Sequence, residues 1–209
     1  MFLAKKNFII RQIEVAGDSG RLMGLEKFKD RNIFITSDSE IRNLVLTDNP
    51  IISSVEVRKQ LPDKIFLTVK KFHLIAALVV SEGYYHLSED GRVLSKVKNI
   101  KNNLPKVNFY QLLAYQSYQP GDTIKFREIK DGLYFLKELT DIGEKVDSLD
   151  INGINMIVLN LENRKLIFSS DKSKESQIFQ VKEIIRKFKL EGRYYKEIDL
   201  RFDKPVVRF

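Results

Sequence analysis

The sequence predicts an α+β chain of two domains, a small β-α-α-β-β unit followed by a mixed α/β domain dominated by a mainly antiparallel sheet with two helices. Three observations carry that reading. Between Asn32 and Val69 a short helical pattern gives way, at Asn49-Pro50, to two alternating segments joined at Leu61-Pro62-Asp63. From Leu74 onward, short apolar or alternating segments are separated by turns of the Asp-Gly and Asn-Gly type, and two later stretches carry helical periodicity. The boundary falls after the second alternating segment, which gives domains at 5–73 and 74–209.

In chain order, Phe8 to Val15 reads as a strand with Ile9, Ile13 and Val15 on one face, closed by Ala16-Gly17. Gly17-Asp18-Ser19-Gly20 lacks the Lys-Ser/Thr ending of a phosphate-binding loop and is a turn. Ser37 and Glu40 form a capping box ahead of Ile41, Leu44 and Val45, whose spacing places them on one helical face. That helix stops before Asn49-Pro50, because the residue preceding a proline disfavours the helical region. Val55, Val57 and Leu61 then alternate with Glu56, Arg58 and Gln60, and Ile65, Leu67 and Val69 repeat the pattern, so the pair reads as a hairpin.

Leu74 to Val80 is an apolar run too short to cross a bilayer and reads as a buried strand. Tyr84 to Leu87 and Arg92 to Leu94 flank the Ser88-Glu89-Asp90-Gly91 turn, and Lys96 to Asn103 reads as loop. Ile129, Leu133, Leu136 and Thr140 mark the buried stripe of a helix, with Leu139 at its edge. Val146 to Ile151, Met156 to Leu161 and Lys165 to Ser169 follow as a three-strand meander. Ile178, Val181, Ile184, Ile185 and Phe188 line the second helix, which Gly192 ends. Tyr194 to Arg201 is the penultimate strand, and Val206-Val207-Arg208 a last short one.

Composition narrows the chemistry. The 209 residues contain no cysteine, which excludes disulfides, thiolate metal sites and cysteine nucleophiles. The two histidines, His73 and His86, have no ligand-spaced partner, no serine-hydrolase elbow is present, and the paired acids Glu89-Asp90 and Asp147/Asp150 fall at turns and strand ends. No catalytic, cofactor or metal residue is therefore assigned. The net charge of +8 raises nucleic-acid binding, with Phe126-Arg127 and Arg193-Tyr194-Tyr195-Lys196 as stacking candidates. Lysines interleaved with acids, and aromatics in alternating strands, favour a solvated surface and a packed core instead.

Ile13-Glu14-Val15 followed by Gly17, Asn32-Ile33-Phe34, Asn49-Pro50-x-Ile52-x-x-Val55, Arg58-x-x-Leu61-Pro62 and the Ile198-Asp199-Leu200-Arg201-Phe202 ending occur here in one order. Together they resemble the FtsQ/DivIB family of bacterial cell-division proteins, in which a polypeptide-transport-associated (POTRA) domain precedes a β-domain. The resemblance implies a non-enzymatic divisome scaffold, without cofactors, at the extracytoplasmic face of the cytoplasmic membrane at the septum. It implies an anchor helix, absent from this chain and expected upstream of Met1. It also implies partners of the FtsB/DivIC and FtsL type, held by strand addition at an exposed sheet edge, and a coupling of septum assembly to peptidoglycan synthesis. Carried onto this sequence, the edge strand is Arg193 to Arg201 and the candidate contacts are Tyr194, Tyr195, Lys196, Ile198 and Leu200. The alternatives are a basic nucleic-acid-binding protein and a POTRA module of an outer-membrane assembly or transport system.

Overall fold

Ser37 has extended backbone, and its hydroxyl accepts a hydrogen bond from the Glu40 amide at 3.1 Å, satisfying one of the free donors at the start of helix α1 (Asp38–Asp48). The helix ends one residue before Asn49-Pro50, as the proline requires. In the computed structural model, which describes residues 8–17, 20–100 and 103–209, this helix belongs to the first of two units, Met1–Phe72 and His73–Phe209.

The first unit holds strands β1 (Gln12–Gly17), β2 (Ile52–Gln60) and β3 (Lys64–Lys71), with a 3-10 turn at Leu25–Phe28 ahead of α1. β3 is central, parallel to β1 and antiparallel to β2. Ile65, Leu67 and Val69 point into a core shared with Ile41, Val45 and Val55, as their alternation requires. Gly17 has φ +99°, and a Cβ there would lie 2.3 Å from the Val69 carbonyl oxygen, so a side chain would push β1 off β3.

Two expectations need correction here. Ile10, not Ile9, is the buried residue of the first segment, and β1 begins only at Gln12. Residues 8–10 pair with the segment around Arg31 (Ile10 N to Arg31 O, 2.9 Å), whereas Arg11 N turns to Asp63 O, and the side-chain parity shifts between the two pairings. Leu61 is exposed, because the ladder ends at the Gln60–Lys64 pair and leaves Leu61 at the hairpin tip. The turn at Gly17-Asp18-Ser19-Gly20 falls partly on residues 18–19, outside the described residues.

The second unit is one nine-stranded sheet. Its strands are β4 (Ala76–Val80), β5 (Gly83–Leu87), β6 (Val93–Val97), β7 (Lys106–Phe109), β8 (Ser148–Ile151), β9 (Ile157–Leu161), β10 (Arg164–Phe168), β11 (Glu197–Asp199) and β12 (Val206–Arg208). They lie in the order β12-β11-β10-β9-β8-β7-β4-β5-β6, and β8-β9-β10 is the expected meander. Parallel pairs occur only where the chain crosses over, at β4-β7, β7-β8 and β10-β11. Helices α2 (Arg127–Asp141) and α3 (Lys174–Glu191) share the core on one face of the sheet, where Phe135 of α2 stacks on Phe168 of β10 with ring centroids 4.0 Å apart. α3 ends as its sequence dictates, with Gly192 in the left-handed region at φ 62°.

The opposite face carries the alternate residues of the strands. There Asp150 accepts hydrogen bonds from the amides of Asn108 and Asn160, both at 2.6 Å. Four details differ from the sequence reading. β6 runs on to Val97, taking Lys96 out of the expected loop, whose residues 101–102 lie outside the described ones. β7 has no clear periodicity in sequence and exists because β4 and β8 flank it. On α2 the buried stripe includes Phe135 and Leu139 and leaves Thr140 exposed, its hydroxyl donating back to the Leu136 carbonyl at 2.8 Å. The segment expected as a strand from Tyr194 to Arg201 has only Glu197–Asp199 in the sheet.

Candidate functional site

The sheet's last strands decide where a partner strand could add. β11 pairs parallel with β10 through Lys165–Glu197, Leu166–Ile198 and Ile167–Asp199, and antiparallel with β12 through Glu197–Arg208, Ile198–Val207 and Asp199–Val206. β11 is therefore an interior strand, which corrects the edge position expected for Arg193 to Arg201. The edge is β12, with a strand neighbour on one side only.

The five residues singled out in sequence divide accordingly. Ile198, Leu200 and Tyr195 are buried in the core, whereas Tyr194 is 88% exposed and Lys196 is exposed. Lys196 closes the end of the sheet, its amide donating to the Arg208 carbonyl at 2.8 Å and its ammonium to the Phe209 carbonyl at 3.2 Å. Val206 and Arg208 of the edge strand, and Phe209 beside it, are not among the residues singled out in sequence. The signal was present in the alternation of Val206 and Arg208 about Val207, but only the pairing of Ile198 with Val207 shows that this short strand lies outside β11.

Beside β12 lies an open groove of about 670 Å³ whose aromatic wall is Phe188, Tyr194, Tyr195 and Phe209. The Arg193 guanidinium lies over two of these rings, 4.6 Å from the Phe209 centroid and 5.2 Å from that of Phe188. Below it, Arg164 donates to the Tyr195 hydroxyl at 3.0 Å and to the Glu144 carboxylate at 2.8 Å, and the Lys189 ammonium stands 2.6 Å from the other Glu144 oxygen. Burial opposes ionisation of Glu144, but the bonds from Lys189 and Arg164 outweigh it and hold the carboxyl below its usual range. Burial likewise pushes the Tyr195 phenol up. The groove is thus apolar with a cationic rim, set on a fixed ionic base.

The other sequence candidates are placed elsewhere. The Phe126 ring packs 4.9 Å from Phe109 against the core, and with Tyr195 buried neither stacking candidate offers a run of free rings. His86 Nδ1 lies 2.8 Å from the Ser95 hydroxyl, and burial lowers its pKa; His73 is exposed. Among the described residues no group of three His, Cys, Asp or Glu is arranged to hold a metal ion. Among them, too, no helix is long and apolar enough to cross a membrane.

Comparison with known proteins gives this geometry its setting. The family description "POTRA domain, FtsQ-type" matches residues 8–71, inside the first unit. Along its length the chain is similar to a cell division protein DivIB of Clostridium tetani, 24% identical over 212 residues, covering 97% of this chain and 74% of the relative. The first unit thus matches the FtsQ-type POTRA domain, and the chain is similar to proteins named cell division protein DivIB. A DivIB of Clostridium botulinum strain Hall is 29% identical over 168 residues, covering 77% of this chain; the chain spans 60% of that relative's length.

Proposed function

We propose that the chain is a non-enzymatic scaffold of the bacterial divisome, the extracytoplasmic part of a membrane-anchored cell-division protein. Similarity to proteins named cell division protein DivIB supports the cell-division role. One structural observation supports the mode of action. The nine-stranded sheet ends in a three-residue strand with an open side, bordered by an aromatic groove with a cationic rim. Partners of the FtsB/DivIC and FtsL type add a strand along β12, where backbone hydrogen bonds supply affinity, and side chains flanking that strand enter the groove. Tyr194 and Lys196 meet the partner directly, whereas Tyr195, Ile198 and Leu200 hold β11 and the groove floor in place behind it. Cations at Arg193, Lys196 and Arg208 favour a partner with acidic residues beside its strand and raise the rate of encounter. Through these partners the scaffold helps couple septum assembly to peptidoglycan synthesis.

The test is co-purification of the chain with the extracytoplasmic regions of FtsB/DivIC- and FtsL-type proteins from the same organism. A Val206→Pro variant, folded by circular dichroism, should lose the complex. Retention of the complex by that variant, and by one lacking Val206–Phe209, would move the partner surface away from β12.

A further inference from the structure

The first unit has an open sheet edge of its own. β1 pairs with β3 on one side and with no described strand on the other. Outside that ladder its backbone makes one hydrogen bond among the described residues, from the Gln12 amide to the Asp63 carbonyl at 3.3 Å. The outward N–H and C=O groups along its six residues are therefore free to pair with an added chain. The other edge, β2, is less free, since the Val55 carbonyl already accepts from Arg42 Nε at 3.1 Å.

β1 forms one wall of a groove of about 570 Å³, and residues of the 21–29 segment form the other. That second wall is held in place. The Asn49 side chain accepts from the Met23 amide at 2.8 Å and donates to the Met23 carbonyl at 3.1 Å, and Lys27 is paired with Asp48 at 3.0 Å. Ile13, Leu22 and Leu25 line the groove as half-buried apolar side chains rooted in the core of the unit. A bare strand edge facing apolar side chains on a fixed wall fits an extended chain segment.

The charge of the groove says which kind. Arg11, Arg21 and Lys29 line it and are exposed, and among the described residues none of the three has an acidic partner. Of the acids on its walls, Glu14 is matched by Lys64 at 2.8 Å and Glu26 is free, while Asp30 and Asp63 are not among the lining residues. Three free cations against one free acid favour an acidic segment and repel a basic one.

We propose that β1 is a strand-addition site distinct from β12, and that it takes an extended acidic segment of a partner protein into the groove between β1 and the 21–29 segment. Backbone hydrogen bonds along β1 supply affinity, and Arg11, Arg21 and Lys29 select the sequence.

The probe is an acetylated, fluorescein-labelled peptide of alternating glutamate and valine, read by anisotropy against the full chain. Its controls are the same peptide with lysine for glutamate, and one in which proline replaces the central valine. The acidic peptide should bind with a Kd tighter than about 1 mM, weaken as salt is added, and slow hydrogen exchange at the β1 amides. The lysine peptide should not bind, and the proline peptide, which lacks a backbone donor, should bind about tenfold more weakly. Arg21→Glu/Lys29→Glu changes two exposed, unpaired side chains, so it should unfold at the parent's temperature and bind the acidic peptide about tenfold more weakly or less. Val206→Pro, at the edge of the other sheet, should bind the peptide as the parent does. The site is overturned if the acidic peptide does not bind the parent, if the double glutamate variant binds it as well as the parent, or if Val206→Pro is the variant that loses it. Equal binding of the acidic and proline peptides would overturn it too, leaving a patch that holds anions without strand addition.

Discussion

The two ends of the nine-stranded sheet are finished differently. At β6 the chain itself covers the start of the edge: Val93 donates to the Asp122 carbonyl and accepts from the Gly121 amide, both at 2.8 Å, and Arg92 bridges to Thr123. Tyr115 adds a lid, with the ammonium groups of Lys96 and Lys98 at 4.5 and 4.3 Å from its ring, and the Tyr85 hydroxyl fixes the loop by donating to the Ala114 carbonyl at 2.7 Å. At β12 no described segment takes the place of the 121–124 loop. Unpaired edges invite pairing with another chain, so the β12 end is the one open to an added strand. The bare edge is also short and carries Arg208, which limits indiscriminate pairing.

That contrast can be broken from beneath. Ile198 is fully buried in β11, the only strand on which β12 rests. Ile198→Ala should cost about 3 kcal/mol in urea unfolding and strip hydrogen-exchange protection from β12 while sparing β6. Equal loss at both edges would mean that the sheet opens as one piece.

Next in size is the ionic base of the groove. Glu144→Gln removes the charge that Arg164 and Lys189 share and should destabilise the protein by about 2 kcal/mol at neutral pH. Because the folded carboxyl lies below its ordinary value, the stabilisation is complete above the unfolded carboxylate pKa and is lost as pH falls through the folded one. The deficit of the variant should therefore shrink below about pH 4. A deficit independent of pH would assign the role of Glu144 to packing.

Opening the covered edge is a smaller perturbation. Tyr85→Phe keeps the buried ring but removes one of the two donors to the Ala114 carbonyl, the Ser117 amide remaining, and takes the acceptor from the Tyr118 amide, at a cost of about 1 kcal/mol, and should speed amide exchange at Val93. Smallest in stability is Val206→Pro at the open edge, expected within about 0.5 kcal/mol of the parent because Val206 is half exposed and proline is tolerated on edge strands. If this change instead unfolded the second unit, β12 would be part of its stability rather than a surface kept for a partner.

Local chemistry made much of this legible. The cap at Ser37, the stop at Asn49-Pro50, the alternation of Ile65, Leu67 and Val69, and the stripe of α3 ending at Gly192 all depend on contacts within a few residues. β7 was not legible, since Lys106–Phe109 is extended because strands on both sides claim it. Thr140 was misplaced on α2 because periodicity measures an angle around the helix, whereas Phe135 is buried by meeting Phe168. Of the candidate contacts, Tyr194 and Lys196 are exposed, whereas Tyr195, Ile198 and Leu200 are buried beneath them, and the sheet edge itself is Val206 to Arg208, which the local pattern did not single out.

By itself, then, the sequence determined the helices and most strands in their order, β7 excepted, and the motifs at both ends, because capping, turn formation and side-chain alternation act over short distances along the chain. Which strand closes the sheet, which rings face the groove, and how Glu144 comes to lie between Arg164 and Lys189 were decided only by the tertiary structure. Each joins residues far apart in the chain, where neighbours are set by packing and pairing register, quantities that no local pattern contains.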